Sequence, residues 1–178
     1  MDGFKDFKRF ERIWNQSTQL KGKSTILTLI VLNIGIDYKE EDFPELEKCL
    51  NLIFKQKIDI NTKSPGIAPT LLSFSVYLHS WNLFNYFLSK GAEIKYLFNY
   101  KEHKSINVIE YAGVLYQECK KYLEEANEEL KNFDRLDNGF LNGLSESEIT
   151  MQEYYALRLK SDILNQIIFI KELLEKYK

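Results

Sequence analysis

The sequence predicts an all-α fold built from helical repeats, and three observations predict it. Apolar residues recur at intervals of three and four along most of the 178 residues. Only 8 Gly and 3 Pro are present, too few for the turn roughly every 8–12 residues that an all-β domain needs. Short helices also come in pairs joined by recurring loops, the pattern of stacked repeats. A hydrophobic content of 44% gives enough apolar surface for one packed core. The composition excludes disorder, collagen-like structure and a disulfide-rich scaffold, and the length fits a single domain over residues 1–178. Its unusual feature is 12 Phe, 11 Tyr and 2 Trp, most of which fall at helical spacing and read as core.

Phe4, Phe7, Phe10 and Trp14 form one aromatic stripe between Lys5, Lys8, Arg9 and Arg12, a short amphipathic helix that caps the N-terminal end within residues 1–20. Ser24 is placed to cap an apolar helix running to Leu32, and Gly35 and Asp37 mark its stop. Phe43-Pro44-Glu45 opens the next helix, with Leu46, Cys49, Leu50 and Ile53 as its buried stripe. Lys57 to Pro69 is a loop punctuated by Pro65, Gly66 and Pro69. Thr70 to Tyr77 and Leu83 to Leu88 are two short helices separated by His79-Ser80-Trp81, and Gly91 ends the pair. Lys95 to Lys104 reads as a second loop, along which Tyr96, Phe98 and Tyr100 alternate. A helix starts within Ile106 to Tyr111, and a longer charged one runs to about Phe133. Asp137-Asn138-Gly139 and Asn142-Gly143 form a turn, after which Ser145-Glu146-Ser147-Glu148 is a capping box for a helix through Tyr177. Ile163, Ile167, Ile170 and Leu174 lie on one face of that helix.

The segment TLLSFSVYLHSWNLFNYFLSKGAEIK, Thr70 to Lys95, resembles an ankyrin repeat, whose consensus opens TPLHLAA and closes GADVN. Thr70 falls on the opening threonine, Leu72 and Phe74 on core positions, and Ser75 and Val76 on the paired alanines. Phe84, Phe87 and Leu88 sit in the second helix, and Gly91 to Lys95 occupy the closing segment. Thr25 to Val31 looks like an earlier opening that Ile58-Asp59-Ile60-Asn61 closes, with about eleven extra residues around Gly35 to Phe43. Asn107 to Ala112 looks like a third opening. The openings lie 45 and 37 residues apart, where an ankyrin period is about 33. The motif's histidine is replaced by Thr28, Ser73 and Glu110, and His79 stands where the inter-helix glycine is expected. The resemblance implies a solenoid of repeats at 25–61, 62–95 and 96–134, closed by the N-terminal helix and by C-terminal capping helices over 145–178.

Catalytic and cofactor motifs fail. Gly22-Lys23-Ser24 ends like a phosphate-binding loop, but Ser17 stands where the first glycine is required and a helix precedes it. His79, His103, Cys49 and Cys119 are spaced by 30, 24 and 16 residues, unlike the short pairs of a zinc site. No cofactor or metal is expected. The two cysteines read as free buried thiols, one long-range disulfide being the alternative. The N-terminus shows no signal-peptide pattern and no segment is long enough to span a membrane, so a cytoplasmic protein is expected. The formal charge of -2 gives no drive toward nucleic acid or an anionic membrane.

Binding residues come from two places. Tyr96, Phe98 and Tyr100, with Asn99, Lys101 and His103 beside them, sit where an ankyrin-like fold projects its loops. They either form a recognition surface or fold back under the lengthened repeat. Tyr77 and Leu78 fall on positions that face the concave groove of ankyrin repeats, with Val114 and Leu115 as counterparts one repeat on. Residues 118–153 carry ten acidic side chains, Glu124, Glu125 and Glu128 among them, against four basic ones. This stretch is either a set of solvated helix faces or a surface for a basic partner. Small proteins with degenerate helical repeats and an acidic face resemble bacterial immunity proteins, which block a toxin; a basic nuclease toxin would suit this one. The expected function is therefore non-catalytic protein binding. An enzyme assembled from distant residues around His79 and Cys49, or a structural scaffold, are the rivals.

Overall fold

The computed structural model describes residue 34, residues 38–55, 59–61, 68–135 and 146–178. The described chain is mostly helical, with one small two-stranded sheet. It falls into two compact units, Met1–Tyr111 and Ala112–Lys178. The sequence expectations for Phe4 to Trp14, Gly22 to Leu32, the extra residues at Gly35 to Asp37 and the turn at 137–143 lie outside the described residues.

In the first unit a short 3-10 turn, Glu40–Asp42, leads into helix α1, Phe43–Phe54. Pro44 sits in its first turn, where a missing N–H costs nothing. Leu46, Cys49, Leu50 and Ile53 are the buried stripe, as their spacing predicts.

Helix α2, Leu71–Tyr77, is too short to form alone. Two things hold it. The Thr70 hydroxyl accepts from the Ser73 N–H at 3.1 Å while the Ser73 hydroxyl accepts from the Thr70 N–H at 2.8 Å, a reciprocal capping box. Every residue from Leu71 to Val76 is also buried. Buried Ser75 is satisfied by donating to the Leu72 carbonyl at 2.7 Å.

Helix α3, Trp81–Ser89, follows after a turn, with the Ser80 hydroxyl accepting from the Leu83 N–H. The two helices end alike. After α2 the Ser80 N–H donates to Ser75 and the His79 N–H to Val76; after α3 the Ala92 N–H donates to Phe87 and the Gly91 N–H to Leu88. Both are Schellman ends, and both need a left-handed residue. Gly91 supplies it at φ 94 and His79 at φ 46. Leu83, Phe84, Tyr86 and Phe87 bury the inner face of α3. Tyr86 packs its ring 6.0 Å from Phe43 and 6.1 Å from Phe54, and its hydroxyl donates to Asn51 Oδ1 at 3.1 Å, tying α3 to α1.

Lys95 to Lys104, read from sequence as a loop, contains instead most of an antiparallel hairpin: β1, Phe98–Tyr100, and β2, His103–Ile106. The all-α expectation is corrected at this point. The cause is legible afterwards, since aromatic side chains alternating with period two belong to a half-buried strand.

Helix α4, Val108–Arg135, is continuous, where a short helix followed by a longer one was expected. Tyr111 to Gln117 holds no proline to break it, and its single Gly113 is tolerated at a cost of about 1 kcal/mol. Asn107 and Glu110 form its capping box: Asn107 Oδ1 accepts from the Ile109 and Glu110 N–H groups, and Glu110 Oε2 from the Asn107 N–H.

The second unit comprises the rest of α4 and helix α5, Glu146–Lys176. Ala112, Leu115, Cys119 and Ala126 are buried on α4, and Ile163, Ile167, Phe169, Ile170 and Leu173 on α5. Leu174, expected in that stripe, is half-buried and Leu173 takes the deeper place. The Cys119 thiol donates to Gln166 Oε1 at 3.3 Å across the pair.

Candidate functional site

The hairpin assembles most of the loop residues singled out by the sequence, but it sorts them onto opposite faces. Phe98 is 2% exposed and its ring meets Tyr111 edge-on at 5.8 Å. Half-buried Tyr100 meets the same Tyr111 ring edge-on at 4.8 Å, and Tyr96 is half-buried just before the strand. The alternating aromatics are thus the inner face, and Phe98 is corrected from a recognition residue to a core residue. The outer face carries exposed Asn99; Leu97, 54% exposed, precedes the strand, and Lys101 is exposed at the turn.

Backbone geometry fixes this arrangement. Phe98 opposes Ile106 and Tyr100 opposes His103, so β2 holds one extra residue between the pairs. Ser105 takes up the bulge at φ 54, and its N–H donates to Asn99 Oδ1 at 3.0 Å. Lys101 and Glu102 make the turn, Lys101 at φ 51. The Lys101 ammonium lies 5.2 Å over the Tyr100 ring. His103 Nε2 is 3.5 Å from Glu102 Oε1.

The other expected contacts separate. Tyr77 is half-buried and stacks on Phe74 at 6.4 Å. Leu78 is 8% exposed, so it too moves from candidate contact to core: the Schellman turn that follows draws it inward. Glu124, Glu125 and Glu128 are all exposed on α4, in the second unit. Glu125 pairs with Lys121 at 3.7 Å and Glu128 with Lys131 at 2.7 Å along the same helix, while the net acidic excess of the stretch stands.

Both cysteines are free and buried. Burial, aided by the charge of Glu45 and opposed by Lys48, pushes the Cys49 thiol up to about 12. Burial and the charge of Glu118 push Cys119 up to about 11. Each thiol stays protonated near neutral pH, which removes its nucleophilic character. His79 is exposed at its turn. Among the described residues no three His, Cys, Asp or Glu side chains are grouped to hold a metal ion, and no helix is long and apolar enough to cross a membrane.

Leu97 was missed by periodicity because the loop reading assigned no faces. Taking Tyr96, Phe98 and Tyr100 as one face would have placed Leu97 and Asn99 on the other. The hairpin itself hid because Lys101-Glu102 lacks the Asn-Gly or Asp-Gly signature of a tight turn. No protein-family model matches the chain, and neither a curated protein nor a solved structure matches it.

Proposed function

We propose that the chain is an ankyrin-like repeat protein that binds another protein through the outer face of its hairpin and performs no catalysis itself. The observation that carries this reading is the sorting of the segment: aromatic anchors Phe98 and Tyr100 inward, Leu97 and Asn99 exposed, and Lys101 exposed at the turn. A large apolar side chain held in solvent next to a braced strand and beside polar and basic groups is the composition of a recognition surface.

The repeat character is supported by Asn61. Its side chain accepts from the Glu93 N–H at 2.9 Å and donates to the Gly91 carbonyl at 3.4 Å. Asn61 closes the first expected repeat, and its partners close the next, 30 and 32 residues on. The capping boxes at Thr70 and Asn107 stand at the expected openings of the second and third. The uninterrupted α4 departs from a helix pair, so the third unit is the most divergent. A toxin-neutralising role would draw on Glu124, Glu125 and Glu128; two of these are paired with lysines, and the hairpin is the better-supported surface.

Co-expression with the products of adjacent genes, followed by size-exclusion chromatography with light scattering, tests the reading. A one-to-one complex is expected with one of them. The combined Leu97→Ala, Asn99→Ala and Lys101→Asn variant should weaken that complex at least tenfold while its melting temperature is preserved. An unchanged affinity in that variant would place the surface elsewhere.

A further inference from the structure

We infer that the outer face of the hairpin receives an acidic, extended segment of a protein partner, an apolar side chain of that segment resting on Leu97 and its carboxylates reaching Lys95, Lys101 and Lys104. This rests on the hairpin being the binding surface and adds the chemistry of what binds.

Charge is the first support. Residues 95–104 hold three lysines, all exposed, against one carboxylate, Glu102, which itself stands 3.5 Å from His103. The chain as a whole carries a net charge of -2, so the sign is locally reversed on a segment that also exposes Leu97. Interfaces of this kind gain steering and selectivity from opposite charge around an apolar centre.

Backbone conformation is the second. Lys101 holds a left-handed φ of 51, a region where glycine or asparagine is less strained. At that cost the lysine places a cation at the tip of the hairpin. Rigidity is the third. The Asn99–Ser105 hydrogen bond braces the bulge, and Phe98 and Tyr100 both close on Tyr111. A partner therefore meets a strand already ordered and forfeits little conformational entropy in binding it.

The test is a two-dimensional NMR titration of the full chain at low salt with three seven-residue peptides. Each has a central leucine, flanked on both sides by two glutamates, two glutamines or two lysines. The glutamate peptide should shift the amides of residues 95–105 saturably and bind at least tenfold more tightly than the glutamine peptide. Leu97→Ala, and separately the pair Lys101→Asn and Lys104→Gln, should each weaken it at least fivefold without moving the melting temperature. Equal binding of the glutamate and glutamine peptides would overturn the acidic partner. Preferential binding of the lysine peptide at the hairpin would overturn it too, while leaving the hairpin as a binding surface. Shifts at 95–105 that follow protein concentration alone would name a second copy as the occupant and overturn the inference, as would the absence of any peptide-dependent shift.

Discussion

Replacing Phe98 by alanine separates a core strand from a recognition loop. The ring is 2% exposed and sits 5.8 Å from Tyr111. A fully buried Phe cut to Ala costs about 3–5 kcal/mol, of which about 0.5–1.5 kcal/mol belongs to the edge-on ring pair. In a chain of this size that corresponds to a melting-temperature drop of roughly 10 °C. Leu97, next in sequence but facing solvent, should change stability by less than about 0.5 kcal/mol when cut to alanine. The assay is a urea melt followed by circular dichroism for wild type, Phe98→Ala, Phe98→Leu and Leu97→Ala. Hydrogen exchange at the amides of β1 and β2 should accompany it. A hairpin that opens on its own would speed exchange there before the global transition moves, so the two readouts bound the loss from both sides. Phe98→Leu should recover more than half of it. A Leu97→Ala penalty equal to that of Phe98→Ala, or a Phe98→Ala penalty below about 1 kcal/mol with unchanged hairpin exchange, would refute the inward placement of the aromatic face.

Four further outcomes are expected. His79→Gly should raise stability by about 1 kcal/mol, seen as a 2–4 °C higher melting temperature, because glycine holds a left-handed helix end without strain; a lower melting temperature would show that the imidazole contributes more than the strain costs. Gly113→Ala should add about 0.5–1 kcal/mol by the same melt, since a Cβ there meets nothing within 4 Å and α4 gains a better helix former. Asn61→Ala should cost about 1 kcal/mol through loss of its bonds to Glu93 and Gly91, and a unchanged urea midpoint would remove the main support for adjacent repeats. Cys49 has its thiol raised in the fold, so its stabilising contribution is complete below the unfolded value near 9 and is lost as pH rises toward about 12. Between pH 7.5 and 9.5 wild type should lose roughly 1 kcal/mol more than Cys49→Ala in parallel urea melts.

The helices of the first unit were legible because their determinants are local. Pro44 and the Leu46–Ile53 stripe define α1, Thr70 and Ser73 start α2, Ser80 starts α3, and Gly91 stops it. Each of these acts within one helical turn of its own position. The hairpin depends on contacts further off: Phe98 and Tyr100 become a strand face because Tyr111 lies beneath them. The sequence shows the alternation but not the ring it closes on. Leu78 illustrates the same limit, since its burial follows from a turn whose left-handed residue is a histidine rather than the usual glycine. Lys101 and Ser105 likewise take positive φ with no glycine to announce it. The acidic stretch was legible as charge, and Lys121 and Lys131 were counted in it, but their pairing with Glu125 and Glu128 along the helix appears only in the structure.

Among the described residues, the three non-glycine residues at positive φ differ in what surrounds them, and that difference bears on function. His79 closes a Schellman end whose hydrogen bonds are all local, so its strain is offset within the helix pair it joins. Ser105 is offset by the Asn99 side chain, which satisfies its N–H across the bulge. Lys101 stands exposed at the two-residue turn, with its ammonium 5.2 Å over the Tyr100 ring. With the lysine itself in solvent, a cation–π contact contributes only about 0.5–1 kcal/mol, comparable to the strain of the left-handed backbone rather than greater than it. That ring contact by itself therefore gives little reason to keep lysine over glycine there. Recognition gives one, because the same exposed side chain puts a cation at the tip of the hairpin. Lys101→Gly should consequently leave the melting temperature level or slightly higher while weakening partner binding, a split between stability and affinity that a purely structural lysine would not produce.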